Sequence, residues 1–361
     1  MTECAAPPIA DSSIVTPEDT ILVTGATGFI GTWVVRALLS RGFRRIRVLV
    51  RASSDLKRLS FAFDESEFRP RVEVLTGNLL SREDAQAAAH QASLILHLAA
   101  GTGSKSYPDA YLNSVVTTRN LLDAAVSAHG LKRIVNLSSF SVYSNRRKGF
   151  SRLLHERCEI EPSPHTRAEA YCYAKVKQDA LVEEYGARHH IPYVHVRPGV
   201  VYGPGKHSIS GRVGIDSFGI FLHMGGSNRL PLTYVTNCAD AIVLAGLTPG
   251  VDGETFNVVD DNLPTSRQFL RAYKRAVHPF RSIYIPSMGS YVFCLAWETA
   301  ARCLDGQLPS AFTRREWHAT WKRTHYSNAK LKARLGWAPA VPTKDALDRY
   351  FESCRSARAH A

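Results

Sequence analysis

Tyr171 and Lys175 stand four residues apart in Tyr171-Cys172-Tyr173-Ala174-Lys175, inside a stretch of helical character. At that spacing two side chains meet on one helix face. A free phenol titrates near pH 10, and a neighbouring ammonium favours its ionised form. Such a pair can pass a proton to or from a carbonyl or alcohol oxygen. Hydroxyls able to bond the same oxygen follow an apolar run, in Asn136-Leu137-Ser138-Ser139-Phe140-Ser141-Val142-Tyr143. Taken singly, the first pair reads as packing and the serines as turn formers. A third feature joins them: Thr24-Gly25-Ala26-Thr27-Gly28-Phe29-Ile30-Gly31, with glycines at every third position. Glycines there permit a tight turn and a close backbone approach to a pyrophosphate, with a helix N-terminus aimed at its charge.

The surrounding pattern supplies what these groups need. Thr20–Thr24, Arg45–Val50, Arg71–Leu75, Ser93–Leu98, Arg133–Leu137 and Pro192–Val196 read as buried strands. Helical spacing fills 28–40, 81–90, 111–128 and 167–189, with Gly42 closing the first. The alternation predicts an α/β fold, a Rossmann-type doubly wound parallel sheet. The glycine loop then joins the first strand to the first helix, which is the context a dinucleotide site requires. Tyr171 and Lys175 fall between the fifth and sixth strands, and the serines at a carboxyl edge facing the ligand crevice. About 20 residues beyond the last glycine, where an acid would read the ribose of NAD, stands Arg51. A guanidinium suits a 2′-phosphate, so NADP(H) is favoured over NAD(H). The pattern weakens after Val201, returns in Thr255–Val259, and is mostly helical over 263–361. The expected organisation is a flexible arm at 1–19, a cofactor domain at 20–200 plus 233–262, and a smaller, mostly helical C-terminal substrate lobe at 201–232 plus 263–361. The Gly- and Ser-rich stretch Gly203–Gly226 is a candidate lid.

The chain has 361 residues; 45 Lys and Arg against 32 Asp and Glu leave +13 with histidines neutral. An apolar share of 45% argues against wholesale disorder. No uncharged apolar run of about 18 residues is present, so a spanning helix is not expected, and the first residues lack the look of a secretory signal. Seven cysteines form no CxxC pair, which argues against disulfide scaffolds and zinc ribbons and for a reducing, cytoplasmic setting. His97, His155, His165, His195 and His207 match no zinc spacing, so no metal is predicted. Basic residues interleave with Trp317, Trp321 and Tyr326, yet no nucleic-acid motif accompanies them, and a wet basic face over a packed core is the better reading. Ser287–Leu304 is apolar but broken by Glu298 and Arg302. It suits core packing first, and a pocket wall or a weak interfacial contact second.

With these motifs in order, the chain resembles an extended short-chain dehydrogenase/reductase of the NAD-dependent epimerase/dehydratase superfamily. TGATGFIG (24–31), HLAA (97–100), YLNSVVTTRNLLDAA (111–125), LSSFSVY (137–143), YCYAK (171–175), RPGVVYGPG (197–205), YVTNCADA (234–241), FNVVDD (256–261) and LGWAP (335–339) carry the likeness across roughly 20–345. The resemblance implies Tyr171 as acid/base, Lys175 as its partner and a ribose ligand, Ser139 as the hydroxyl polarising a carbonyl, and Asn113 as a supporting helix asparagine. It implies a cofactor site of Gly25, Thr27, Gly28, Phe29, Ile30, Gly31, Arg51, Leu98, Ala99 and Ala100, with Pro198 and Val200 beside the nicotinamide. Asn78 and Leu79 would meet the adenine, Asn78 standing where the family usually has Asp. A homodimer through helices like 111–128 and 167–189 is implied as well.

The family's reactions all begin with hydride transfer. Phe140 and Ser141 replace the acidic pair of its dehydratases, and Leu230, beside Arg229, stands where nucleotide-sugar enzymes often carry an arginine. Asn237 resembles the 3β-hydroxysteroid-dehydrogenase-like branch. The leading expectation is an NADP(H)-dependent interconversion of a secondary alcohol and a ketone on a hydrophobic molecule. A nucleotide-sugar 4-epimerase holding NAD is the alternative, and a non-catalytic NADP sensor is disfavoured because Ser139, Tyr171 and Lys175 are all present.

Overall fold

The structure is a computed structural model that describes residues 13–64, 71–101, 106–145, 152–167, 169–217, 219–303 and 312–359. Its first half runs β1 (Thr20–Thr24), α1 (Phe29–Ser40), β2 (Arg45–Val50), α2 (Phe61–Asp64), β3 (Val72–Thr76), α3 (Arg82–Ala89), β4 (Leu94–His97), α4 (Tyr107–Ala110), α5 (Thr117–Ser127) and β5 (Arg133–Leu137). Then come β6 (Arg152–Leu154), α6 (Ala170–His189), β7 (Tyr193–Pro198), β8 (Val200–Tyr202), β9 (Gly214–Ser217), β10 (Ile220–His223), β11 (Leu232–Tyr234), α7 (Val235–Leu247) and β12 (Thr255–Val258). The chain closes with α8 (Ser266–Ala276), β13 (Ser282–Tyr284), α9 (Ser287–Cys303), α10 (Arg314–Thr320), β14 (Thr324–Tyr326), α11 (Ala329–Leu335) and α12 (Thr343–Ala359).

Seven parallel strands form the central sheet in the order β12-β7-β5-β4-β1-β2-β3. Parallel strands need helices on both faces, and the continuous apolar runs reflect that double burial. In β1, Ile21 and Val23 join the core that includes Val34 and Leu38 of α1 and Ile242 of α7. Leu22 joins the opposite one, with Ala85 of α3, Leu121 of α5 and Leu181 of α6. Gly42 at φ +88° turns the chain out of α1. A buried ion pair, Arg41 to Asp240 at 3.0 Å, ties α1 to α7. β1 to β5, β7, α1 and α3 lie within two residues of the sequence reading. The helix read at 111–128 instead runs from Tyr107 to Ser127 as α4, a π-helical stretch and α5. α6 begins at Ala170 rather than 167, and the short α2 has no counterpart in the reading.

Two expectations change. Residues 13–19 are not free: Val15 is buried in the sheet core, the Ile14 amide donates to the Leu247 carbonyl, and Asp19 accepts from Lys132 at 2.9 Å. An apolar Ile-Val pair next to an acidic turn was enough to dock this segment; residues 1–12 lie outside the described ones. The region after Val201 is also less purely helical than its composition implies. It holds β9–β10–β13 as one small sheet and pairs β8 with β11 and β6 with β14. Such strands of three or four residues give little period-2 signal. The stretch 203–226, read as a lid, contains the β9–β10 hairpin, closed by Met224 N–H on the Val213 carbonyl. α9 is one-sided: Ser290 and Cys294 are buried while Met288, Val292 and Phe293 are exposed. Among the described residues no helix is long and apolar enough to cross a membrane.

Candidate active site

The glycine loop is shaped for a close approach. Gly25 sits at φ +71°, and a Cβ there would lie 2.9 Å from the Ala99 amide nitrogen. A Cβ on Gly31 would lie 2.1 Å from the Gly25 carbonyl oxygen, so only glycine fits. The start of α1 has no side-chain cap and no acid in its first turn. Its free N–H groups therefore make an anion cradle. Thr27, Gly28, Phe29 and Ile30 complete this turn, while Leu98, Ala99 and Ala100 follow β4 and are half-buried beside it. The residues present fit a dinucleotide's pyrophosphate.

Arg51 is exposed at the end of β2, where Ser54 accepts from its backbone amide at 3.1 Å. Arg58 was missed in the sequence. It lies on the turn after β2 and reaches the Thr27 carbonyl at 3.4 Å, which places a second guanidinium against the glycine loop. Asn78 is exposed after β3, and its Oδ1 accepts from the Leu80 amide at 3.0 Å. Leu79 is buried, and its carbonyl accepts from Asn120 of α5 at 2.8 Å.

Ser139 and Tyr171 lie close together at the carboxyl edge of β5, where the serine hydroxyl favours the ionised phenol. Ser139 Oγ also accepts from the Ser141 amide at 3.1 Å. Tyr171 is half-buried, yet the packing around its hydroxyl pushes it up to about 12, with Ser139 opposing. That direction is opposite to the expected pull of Lys175. Burial is the main cause, and the ammonium is engaged elsewhere: Lys175 Nζ donates to the Leu137 carbonyl at 2.6 Å and to Gln178 Oε1 at 2.9 Å. Burial brings Lys175 down to about 8, partly offset by Asp179.

From Lys175 a buried polar chain leads back to the glycine strand. Gln178 Nε2 donates to Thr118 Oγ1 at 2.9 Å, His97 Nε2 lies 2.8 Å from the same oxygen, and His97 Nδ1 lies 2.8 Å from Thr24 Oγ1. Thr118 spends its own hydrogen on the Ser114 carbonyl. His97 Nε2 must then carry the proton and Nδ1 accept, an assignment from the network. Burial, with Lys175 adding, lowers His97 to about 3, so it stays neutral.

Asp179, one turn past Lys175, was also missed. Its carboxylate accepts from Asn136 (2.9 Å), Ser138 (2.6 Å) and both Nε and Nη2 of Arg197 (3.2 and 3.0 Å). Burial alone would raise it; His195, Arg197 and Ser138 outweigh that and hold it below its usual range. The signal was there, since Tyr171, Lys175 and Asp179 recur every four residues on one face. Asn113 does not join the group. Its amide turns to Asp109 (2.8 Å) within a π-helical stretch, Tyr111–Val116, and Ser114 instead holds the Gly101 amide at 3.0 Å. Pro198 is buried at the end of β7, and half-buried Val200 pairs with Leu232.

Beside Ser139 opens a chamber walled by Phe140, Ser141, Arg152, Arg167, Arg212 and Tyr326, among others. Glu169 and Glu316 also line it, so its walls are both charged and aromatic. A purely hydrophobic molecule, as the sequence suggested, matches only part of this lining.

The chain matches the NAD dependent epimerase/dehydratase family over residues 21–258 and belongs to it. Among curated relatives, 3beta-hydroxysteroid-dehydrogenase/decarboxylase isoform 2 of Arabidopsis thaliana is 25% identical over 354 residues, 92% of this chain and 61% of that protein. Cinnamoyl-CoA reductase 1 of Oryza sativa subsp. japonica is 30% identical over 187 residues, 51% of this chain and 54% of that protein. The chain thus spans less than two thirds of the length of either relative. UDP-glucuronic acid 4-epimerase from Bacillus cereus, solved with NAD, has a TM-score of 0.70 at 20% identity, covering 95% of this chain and 98% of that one. A dTDP-glucose 4,6-dehydratase from Streptomyces venezuelae also has a TM-score of 0.70 at 20% identity, covering 94% of this chain and 98% of that one. These two likenesses are of fold.

Proposed function

We propose that this chain is an NADP(H)-dependent reductase that converts a ketone to a secondary alcohol, with Tyr171 as the proton donor. The observation that carries this reading is the placement of the Tyr171 phenol and the Ser139 hydroxyl together at the carboxyl edge of β5, with the Lys175 ammonium one turn along α6. When bound, the nicotinamide supplies the hydride to the carbonyl carbon. Ser139 Oγ–H and Tyr171 Oη–H bond the carbonyl oxygen, and Tyr171 gives it a proton as the oxygen becomes basic. Lys175 holds the floor of the site through Leu137 and Gln178 and offers its remaining donor capacity to the ribose. Arg51 and Arg58 supply two guanidiniums for a 2′-phosphate, with Ser54 between them in sequence.

The cofactor lobe comprises the central sheet with α7 and β12, and the small sheets with α8–α12 form the substrate lobe. A homodimer through α5 and α6 remains part of the same reading. A 4-epimerase with resident NAD is the second reading, supported by the fold of the UDP-glucuronic acid 4-epimerase. Purified protein is to be assayed for NADPH oxidation with a ketone panel. Exchangeable NADPH with turnover supports the reductase. Tightly held NAD that never exchanges would replace it with the epimerase.

A further inference from the structure

The chamber next to Ser139 is lined by three guanidiniums, Arg152, Arg167 and Arg212, against two carboxylates, Glu169 and Glu316, which leaves an excess of one positive charge. Arg152 comes from β6, Arg167 from the turn before α6, and Arg212 from the loop before β9. Arg167 is paired, Nη2 with Glu169 at 2.9 Å, and its Nη1 donates to the Ser141 carbonyl at 2.5 Å. Arg152 and Arg212 bond only backbone carbonyls: Ser144 at 2.6 Å for the first, Ala319 and Thr320 at 3.0 and 3.5 Å for the second. Among the described residues neither lies within ion-pair distance of a carboxylate. The Nε atoms of Arg152 and of Arg167, the latter 6% exposed, are buried without a hydrogen-bond partner. Burial lowers Arg152; Tyr326 and Cys158 oppose that, Arg212 and Arg167 add to it, and the charges of Arg167 and Arg212 also act on Glu169.

The one guanidinium charge left over in this half-closed space is unfavourable unless a further anion joins it. Guanidinium is also the group best shaped to hold a planar or tetrahedral oxyanion. Phe140 and Ser141, next in the chain to Ser139, line the same chamber, and so does Glu169, two residues before Tyr171, which puts the chamber next to the Ser139–Tyr171 pair. We propose that the substrate carries an oxyacid group, a carboxylate or a phosphate, and that Arg152 and Arg212 bind it with Arg167 behind them. This rests on the reductase reading of the site.

The test uses three aryl ketones with the full chain and NADP+: 4-acetylbenzoate, 4-acetylphenyl phosphate and neutral 4-acetylbenzamide. Affinity is read by calorimetry, which needs no turnover. An anionic probe should bind about tenfold tighter than the amide. Preference for the benzoate identifies a carboxylate and preference for the phenyl phosphate a phosphate. In Arg152→Gln and Arg212→Gln the charged-to-neutral ratio should fall by about tenfold, and Arg152→Lys should restore part of it. Melting curves confirm that each variant folds, with Arg212→Gln standing in if Arg152→Gln does not. Equal affinities for all three probes, or a ratio unmoved by substitution, would overturn the proposal. Anion preference without NADPH turnover would keep the subsite and sink the reductase reading instead.

Discussion

The glycine cradle and the arginine chamber are assembled in different ways. The cradle is local: eight consecutive residues, 24–31, form the turn, and the Leu98–Ala100 segment of the adjoining strand closes it. Its charge-binding groups are backbone N–H, fixed by the turn itself. The chamber draws its walls from pieces spread between Phe140 and Tyr326, and its binding groups are long side chains. Its shape depends on β6 pairing with β14 across the chain. A site made of backbone tolerates little change at single positions, whereas one made of side chains can change its ligand with little change of fold.

Five experiments would break or sharpen that contrast. Tyr171→Phe removes the proposed proton donor. We expect kcat/KM to drop by about 10²- to 10⁴-fold, while NADPH titration by fluorescence shows unchanged binding. Unchanged turnover would remove Tyr171 from the chemistry. Asp179→Ala leaves Arg197 buried without its carboxylate, and urea unfolding should register a loss of about 3–5 kcal/mol. A loss below about 1 kcal/mol would mean that the cluster is not a structural hub.

Gly31→Ala drives a methyl into the Gly25 carbonyl. It should lower stability by about 1–3 kcal/mol and weaken NADPH binding more than binding of an aryl ketone anion. Equal effects on both ligands would show that the two regions are coupled. For His97 the direction follows from its lowered value of about 3 against 6.5 for the free side chain. Its contribution is complete above pH 6.5 and is lost as pH falls towards 3, because the unfolded chain takes up a proton the folded one refuses. Wild type should therefore lose stability between pH 6.5 and 4 at up to about 1.4 kcal/mol per pH unit more steeply than His97→Gln, by urea titration. Smallest of the five, Arg51→Ala should cut the preference for NADPH over NADH by about tenfold, with Arg58→Ala adding to it. No change in either would point to NAD as the cofactor.

The cofactor half was readable because its signals are local. Continuous apolar runs mark doubly covered strands, and glycine spacing marks a turn with no room for Cβ. Tyr171 and Lys175 were readable for the same reason, as neighbours on one helix face. Arg58 was not, because its approach to Thr27 is decided by a turn after β2 rather than by any spacing. Asn113 was read too strongly, since helix position alone does not say which way an amide turns. The chamber's arginines looked like any others in a chain with 45 basic residues.

By itself, then, the sequence determined the doubly wound sheet, the glycine turn and the Tyr171–Lys175 register, all set by periodicity and short-range sterics. The tertiary structure decided the protonation and the partners. It sent the Lys175 ammonium to the Leu137 carbonyl, buried the Tyr171 hydroxyl against Ser139, and brought Arg152, Arg167 and Arg212 together from distant segments. Those outcomes depend on desolvation and on which charges end up close in space, and neither quantity can be read along a chain.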